Sequence, residues 1–258
     1  MSPVQVIEGD SPVILGLPHT GTDVPPAIWA RLNPLGQALA DTDWFIHRLY
    51  DGLLPGATSV RATFHRYVID ANRPPDGASL YPGQNTTGTV PLTDFDGRDI
   101  WAQPPGADEI AERVAQFHTP YHAALAGQIA RVQARHGFAV LYDCHSIRSH
   151  IPFLFDGELP VFNIGTLNGA TCAAWVQDAA ERHCRASGQS TVLNGRFKGG
   201  WTTRHYGRPG DGIHAIQMEL AQRAYLAAEC PPWTYAAPEP LRATLRAILS
   251  DLANGAPR

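Results

Sequence analysis

The chain has 258 residues, 44% of them hydrophobic and 17% charged, with a formal net charge of −4. That composition is globular, can bury a sizeable core and lacks the low-hydropathy, high-charge signature of disorder. The mild negative charge gives no electrostatic reason to expect nucleic acid or an anionic membrane as partner. No apolar run approaches the length of a membrane span, and the N-terminus shows no basic stretch followed by an apolar one. The cysteines, Cys144, Cys172, Cys184 and Cys230, form no C-x-x-C pair and no dense framework, which fits reduced thiols. A cytoplasmic protein that binds a small molecule is the expectation.

In chain order, Val13-Ile14-Leu15-Gly16-Leu17 reads as a buried strand ended by Pro18, and it runs into His19-Thr20-Gly21. The loop through Pro25-Pro26 is rich in turn formers and is expected at the surface or along a cleft. A helix is expected around residues 43–53, from the spacing of Trp44 or Phe45, Leu49 and Leu53, with Asp41 or Thr42 as its cap. Residues 58–62 and Tyr67-Val68-Ile69-Asp70 read as two further strands. Residues 74–106 carry Pro74, Pro75, Pro82, Pro91, Pro104 and Pro105 and form a long irregular segment. A wandering connector and a substrate loop are equally open there.

Ile110, Val114, Phe117, Tyr121 and Leu125 keep helical spacing within 107–135, and Gly137 ends that helix. A central strand is expected at 138–142, opening into Asp143-Cys144-His145-Ser146. A helix over 172–186 stops before Gly188, a glycine-rich turn spans 195–200, and 214–220 alternates as a strand with Gln217 and Glu219 on one face. A final amphipathic helix covers 241–252. Strands and helices alternate without repeat or compositional break. The fold class expected is therefore α/β, one domain over 1–258, with a largely parallel sheet.

Most of the 11 histidines are read as surface or packing residues, including His118, His122, His136 and His183 in helical contexts. His19 and His145 differ, because each follows a buried strand at the sheet edge where α/β sites assemble. Zinc catalysis needs three N or O ligands and an open position. Asp43, Asp41 and Asp23 are the candidate carboxylates, and periodicity does not choose among them. Glu219, between Met218 and Leu220, is a charge whose burial demands pairing or use, as a general base or in an ion pair. Arg73 stands before two stiffening prolines and suits bidentate carboxylate binding; Arg66, Arg148 and Arg204 occupy similar loop or strand-end positions. Metal-assisted hydrolysis of an acyl amino acid is the reaction these residue types suggest.

The motifs then become specific as an ordered set. They are Leu17-Pro18-His19-Thr20-Gly21-Thr22-Asp23-Val24-Pro25, Asp41-Thr42-Asp43-Trp44 with Arg48-Leu49-Tyr50, and Val68-Ile69-Asp70-Ala71-Asn72-Arg73-Pro74. Tyr142-Asp143-Cys144-His145-Ser146-Ile147-Arg148-Ser149 and Phe162-Asn163-Ile164-Gly165-Thr166 come next. The last are Asn194 to Gly200, Thr203-Arg204-His205-Tyr206-Gly207 and His214 to Leu220. This set resembles the N-formylglutamate amidohydrolase (deformylase) family and runs from about residue 13 to 226.

The resemblance implies a mixed sheet flanked by helices, like that of zinc carboxypeptidases and aspartoacylase-like deacylases (a phosphorylase/hydrolase-like fold). It implies hydrolysis of N-formyl-L-glutamate to formate and L-glutamate, at the end of one route of histidine degradation. It also implies one Zn2+, or another divalent ion in its place. Residue by residue, His19 and His145 match the ligand histidines, Asn72 and Arg73 the substrate-binding pair, and Glu219 the base. Such hydrolases carry a carboxylate three residues after the first histidine, whereas this chain has Thr22. The Asp-Trp segment is the replacement, with Asp43 ahead of Asp23 and Asp41. On this reading Arg148 or Arg204 holds the second carboxylate of the substrate, and Arg66 faces the developing oxyanion.

Three other readings are weighed. Cys144 or Ser146 beside His145 would suggest covalent catalysis, but neighbours on a strand point to opposite faces. The pocket could serve a non-catalytic small-anion binder, or accept another N-acyl amino acid.

Overall fold

The two longest strands are the nine-residue runs Ala139–Ile147 and Ile213–Ala221, and every residue of both is buried. Strands buried on both faces need helices on both faces, as in largely parallel α/β sheets. The computed structural model, which describes residues 2–80, 83–236 and 238–255, has that arrangement. Its strands are β1 (Val4–Ile7), β2 (Val13–Leu17), β3 (Thr58–Ala62), β4 (Ala139–Ile147), β5 (Phe162–Gly165), β6 (Thr191–Leu193) and β7 (Ile213–Ala221). Among the described residues they form one seven-stranded sheet in the order β1-β3-β2-β4-β7-β5-β6. Neighbours from β3 through β7 are parallel, as are β5 and β6. β1 on β3 and β5 on β7 are antiparallel, so the sheet is mixed and mostly parallel.

The helices are α1 (Pro26–Trp29), α2 (Pro34–Gln37), α3 (Ile46–Tyr50), α4 (Ala107–Arg113), α5 (Thr119–His136), α6 (Ala174–Ala186), α7 (Trp201–Tyr206) and α8 (Glu239–Asn254). A turn of π-helix, Val114–His118, joins α4 to α5. Gly137 ends α5 in the left-handed region at φ 79°, as its position predicts.

Strand parity builds two cores. On one face Val13, Leu15 and Leu17 of β2, Val140, Tyr142 and Cys144 of β4 and Ile216, Met218 and Leu220 of β7 meet α3, α6 and α8. On the other, Ile14, Ala139, Leu141, Ile213 and Ala215 pack with Tyr121, Leu125, Ile129 and Val132 of α5. Toward the C-terminal strand ends that second face changes from apolar to polar: 139 and 141 give way to Asp143 and His145, and 213 and 215 to Gln217 and Glu219. From β2 the sheet continues to β3 on one side and β4 on the other, and such a switch point opens a crevice at the C-terminal ends.

Three expectations need correction. The central strand runs to Ile147 rather than 142, so His145 lies within it and not beyond it. Residues 67–70 are no strand. Tyr67, Val68 and Ile69 are all fully buried, but their backbone bonds come from outside any ladder: Arg113 donates to the Val68 carbonyl at 3.0 Å, and the Asp70 amide to the Thr89 carbonyl at 2.7 Å. The helix after residue 43 starts at Ile46 behind a left-handed Phe45 (φ 58°), with no side-chain cap, and the Asp41 carboxylate accepts from Tyr67 and Phe95 instead. The stretch from Trp201, for which no element was expected, is a helix, α7. Short β1, β5 and β6 complete the sheet's edges, and 74–106 contains no helix or strand among its described residues.

Candidate active site

The loop after β2 carries His19, the segment before α3 carries Asp43, and β4 carries His145. All three are buried, and their ligand atoms lie within 4.8 Å of one another, the one such group among the described residues. His19 Nδ1 is 3.2 Å from His145 Nδ1, and His145 Nδ1 is 3.3 Å from Asp43 Oδ2. The Asp43 amide donates to the His19 carbonyl at 3.0 Å, and the Ser146 amide donates to Asp43 Oδ2 at 3.0 Å. Asp43 is thereby pinned between the ends of β2 and β4.

Each imidazole is held from behind by an aspartate. His19 Nε2 lies 2.6 Å from Asp70 Oδ1, and His145 Nε2 lies 3.0 Å from Asp143 Oδ2. The amide nitrogen of Asn72 is also 3.1 Å from His145 Nε2, but it cannot accept, so the carboxylate takes the ring hydrogen. Both Nδ1 atoms then face inward as lone pairs, and at 3.2 Å they repel unless a cation or proton lies between them. Burial lowers the His145 pKa, but the Asp143 charge and hydrogen bonds from Asp143 and Asp43 outweigh it and hold the ring well above its ordinary value. Two imidazoles and one carboxylate, each imidazole backed by a carboxylate, form a donor set that fits zinc.

The other candidate carboxylates are turned away. Asp41 Oδ2 accepts from Tyr67 Oη at 2.7 Å and from the Phe95 amide at 3.0 Å, and burial pushes its carboxyl up to about 6. Asp23 continues the β2–β3 pairing through its backbone, with its amide 3.0 Å from the Thr63 carbonyl.

Beside the cluster, Glu219 stands directly opposite His145 in the β4–β7 register. Gln217 Nε2 donates to Glu219 Oε2 at 2.9 Å, and burial, only partly offset by the His145 charge, pushes the carboxyl up to about 7. Arg66 is buried; its Nη2 lies 3.0 Å from Asp70 Oδ2 and 3.0 Å from His19 Nδ1. A cleft with about 610 Å³ of empty space is lined by these groups and by Asn72, Arg73, Asn85, Thr86, Thr87, Phe95, Arg196 and Phe197. Several residues of the long 74–106 segment thus sit on the cleft wall.

The arginines divide differently from the expectation. Arg73 lines the cleft, with Nε donating to the Thr87 carbonyl at 2.9 Å and Nη2 to Thr87 Oγ1 at 3.2 Å. Arg148 and Arg204 are not among the lining residues. Arg148 leans on acids outside the cleft, 3.2 Å from Asp96 and 3.9 Å from Asp41, and Arg204 donates to the carbonyls of Gly199 and Leu80 at 2.9 and 3.1 Å. Their place in the lining is taken by Arg196, which donates to the Leu154 and Asn85 carbonyls, each at 2.9 Å.

A profile of the family described as N-formylglutamate amidohydrolase matches residues 11–226, which contain every residue placed at the site. An N-formylglutamate deformylase of Pseudomonas aeruginosa is 47% identical over 250 residues, 95% of this chain and 93% of its own. One of Pseudomonas putida is 43% identical over 251 residues, 95% of this chain and 93% of its own. The chain belongs to the N-formylglutamate amidohydrolase family. Its fold agrees with the crystal structure of N-formylglutamate amidohydrolase from Ralstonia eutropha, at a TM-score of 0.84 and 23% identity over 98% of both chains. It also agrees with a protein of Agrobacterium tumefaciens, at 0.66 and 20% identity over 98% of this chain and 94% of the other. No described helix is long and apolar enough to cross a membrane.

For this family member, Asp70, Asp143 and Arg196 are the site residues that motif reading passed over. Asp143 was accessible by parity, since it stands two residues before His145 on the same strand face. Asp70 and Arg196 come from loops, where no period gives direction.

Proposed function

We propose that the chain is a metal-dependent hydrolase of N-formyl-L-glutamate, releasing formate and L-glutamate as the last step of a histidine-degradation route in the cytoplasm. The observation that carries this reading is the placement of the His19–Asp43–His145 donor set, Glu219 and the three arginines Arg66, Arg73 and Arg196 in one cleft. The deformylases of the two pseudomonads support the substrate.

His19, Asp43 and His145 would hold the dication, whose Lewis acidity would lower the pKa of a water and polarise the formyl oxygen. Glu219 accepts a proton from the attacking water as the C–O bond forms. The same proton then goes to the amine nitrogen as the C–N bond breaks. With one carboxylate oxygen tied to Gln217, the other is left for this traffic. Arg66, fixed by Asp70, brings positive charge to the oxyanion that develops on the formyl oxygen. Arg73 and Arg196 receive the two carboxylates of the substrate. Among their present partners are hydroxyls and carbonyls of residues 85–87 and 154, neutral acceptors that a carboxylate outcompetes. Thr86 and Thr87, held by Arg73, make the 74–106 segment a substrate loop rather than a plain connector.

A Cys144 nucleophile has no support. Its side chain packs in the core on the opposite sheet face, and burial holds its thiol well above the ordinary range. The test of the proposed chemistry is Glu219→Gln. Metal content and substrate Kd should stay within about threefold, while kcat falls by about 10²–10⁴. A variant that keeps most of its rate removes Glu219 from the mechanism.

A further inference from the structure

Residues 70–73 carry the orienting groups of the whole cleft. Asp70 holds His19, Asn72 lies against His145, and Arg73 lines the substrate space. Yet the segment is neither strand nor helix, so no ladder fixes it. Two of its amides are served locally: the Asn72 amide donates to Asp70 Oδ1 at 2.8 Å, and the Arg73 amide to the Asp70 carbonyl at 3.2 Å. The carbonyls of Ala71 and Arg73 point instead toward α5. A buried carbonyl without a ladder partner needs a side-chain donor or water.

Two histidines supply those donors. His122 Nε2 lies 2.8 Å from the Ala71 carbonyl, and His118 Nε2 lies 3.0 Å from the Arg73 carbonyl. They stand four residues apart, one on α5 and one on the π-turn before it, with ring centroids 4.3 Å apart. A π-turn inserts one residue into a helix and re-aims the side chains after it, and such turns recur at functional sites. The Ala71 carbonyl can only accept, so Nε2 of His122 carries the hydrogen, and Nδ1 lies 3.0 Å from Tyr206 Oη of α7. Trp201 closes the cluster, with centroids 4.5 Å from His122 and 5.2 Å from His118. Burial lowers the pKa of both histidines, so both are neutral near pH 7.

α7 also contacts the same segment. The Thr202 amide donates to Asn72 Oδ1 at 2.8 Å. The 70–73 segment is therefore held both by α7 and by the two histidines of the α5 region, which Trp201 of α7 packs against. Histidines that only filled space could be leucines.

We infer that His118 and His122 are positioning residues, whose Nε2–H groups hold the Arg73 and Ala71 carbonyls and so set the Asn72–Arg73 segment against the substrate. The inference rests on the reading of Arg73 as a substrate-carboxylate binder. His118 acts on Arg73 directly and on the metal donors only at a distance, so its loss falls on KM and spares kcat.

The test compares His118→Leu with His118→Gln, because glutamine can return an N–H donor and leucine cannot. Formate release from N-formyl-L-glutamate should show KM raised about tenfold in the leucine variant, with kcat within about twofold. The glutamine variant should recover KM to within about threefold. Hydrogen exchange of the 70–73 amides, which needs no substrate, should quicken in the leucine variant and slow again in the glutamine variant. Where His118→Leu does not fold, His122→Leu and His122→Gln make the same comparison at the Ala71 carbonyl. Equal KM and equal exchange in leucine and glutamine variants would overturn the inference, as would a fall in kcat alone that tracks lost thermal stability. Wild-type protein that does not cleave N-formyl-L-glutamate would sink the proposed function instead, and the exchange comparison would still decide the positioning role.

Discussion

Behind each candidate ligand histidine of the cleft stands a buried aspartate, and this shapes what the histidines can do. Asp70 and Asp143 accept the Nε2 hydrogens, so Nδ1 is the atom that each ring turns inward. Replacing such a partner generally weakens metal binding ten- to a hundredfold. Asp143→Asn should therefore lower zinc affinity by about that factor in competition with a chromophoric chelator. An unchanged affinity would mean that Asp143 only fills space. Glu219 makes a second prediction. Burial pushes its carboxyl up to about 7, while a dication beside it would draw that value down. A general base works only when unprotonated, so kcat/KM should fall as pH drops through a midpoint at or below about 7. A rate that instead rises as pH falls through this range would contradict the assignment. At this scale His19, His145 and Glu219 were legible because strand-end and strand-face positions have direction. Asp43 needed the family resemblance to be preferred over Asp41 and Asp23. Arg148 and Arg204 lie outside the cleft lining, because a loop arginine's direction depends on which acids or carbonyls lie near, and no local pattern records that.

Elements decide the site through close approaches that leave no room for variation. The turn before α7 meets Asn72 at Gly200, where a Cβ would fall 2.3 Å from Asn72 Nδ2. Gly200→Ala should thus push Asn72 off His145 and cut kcat/KM by more than about tenfold, with secondary structure by circular dichroism retained. Full activity in that variant would show that Asn72 can give way. The longer strands and helices β2, β3, β4, β7, α5, α6 and α8 were legible from periodicity and from Gly137 and Gly188. The 67–70 segment was not: a run of buried apolar residues reads as a strand until its backbone partners are known. β5 and β6 are strands of 4 and 3 residues, too short for alternation to show.

Across the whole molecule, the topology explains why distant residues converge. β2 lies between β3 and β4, so the loops after β2 and β3 and the end of β4 open on one crevice. His19, the segment from Arg66 to Arg73 and His145 come from those three places, and Glu219 arrives on β7 beside β4. A chain with net charge −4 thereby gathers Arg66, Arg73 and Arg196 at one cleft, which suits an acidic substrate better than the overall charge suggests. The measurement that tests the account most directly is formate release from N-formyl-L-glutamate before chelation, after removal of metal verified by metal analysis, and after zinc is added back. The account predicts loss of activity on removal and recovery on addition. Activity that persists in verified metal-free protein would contradict it.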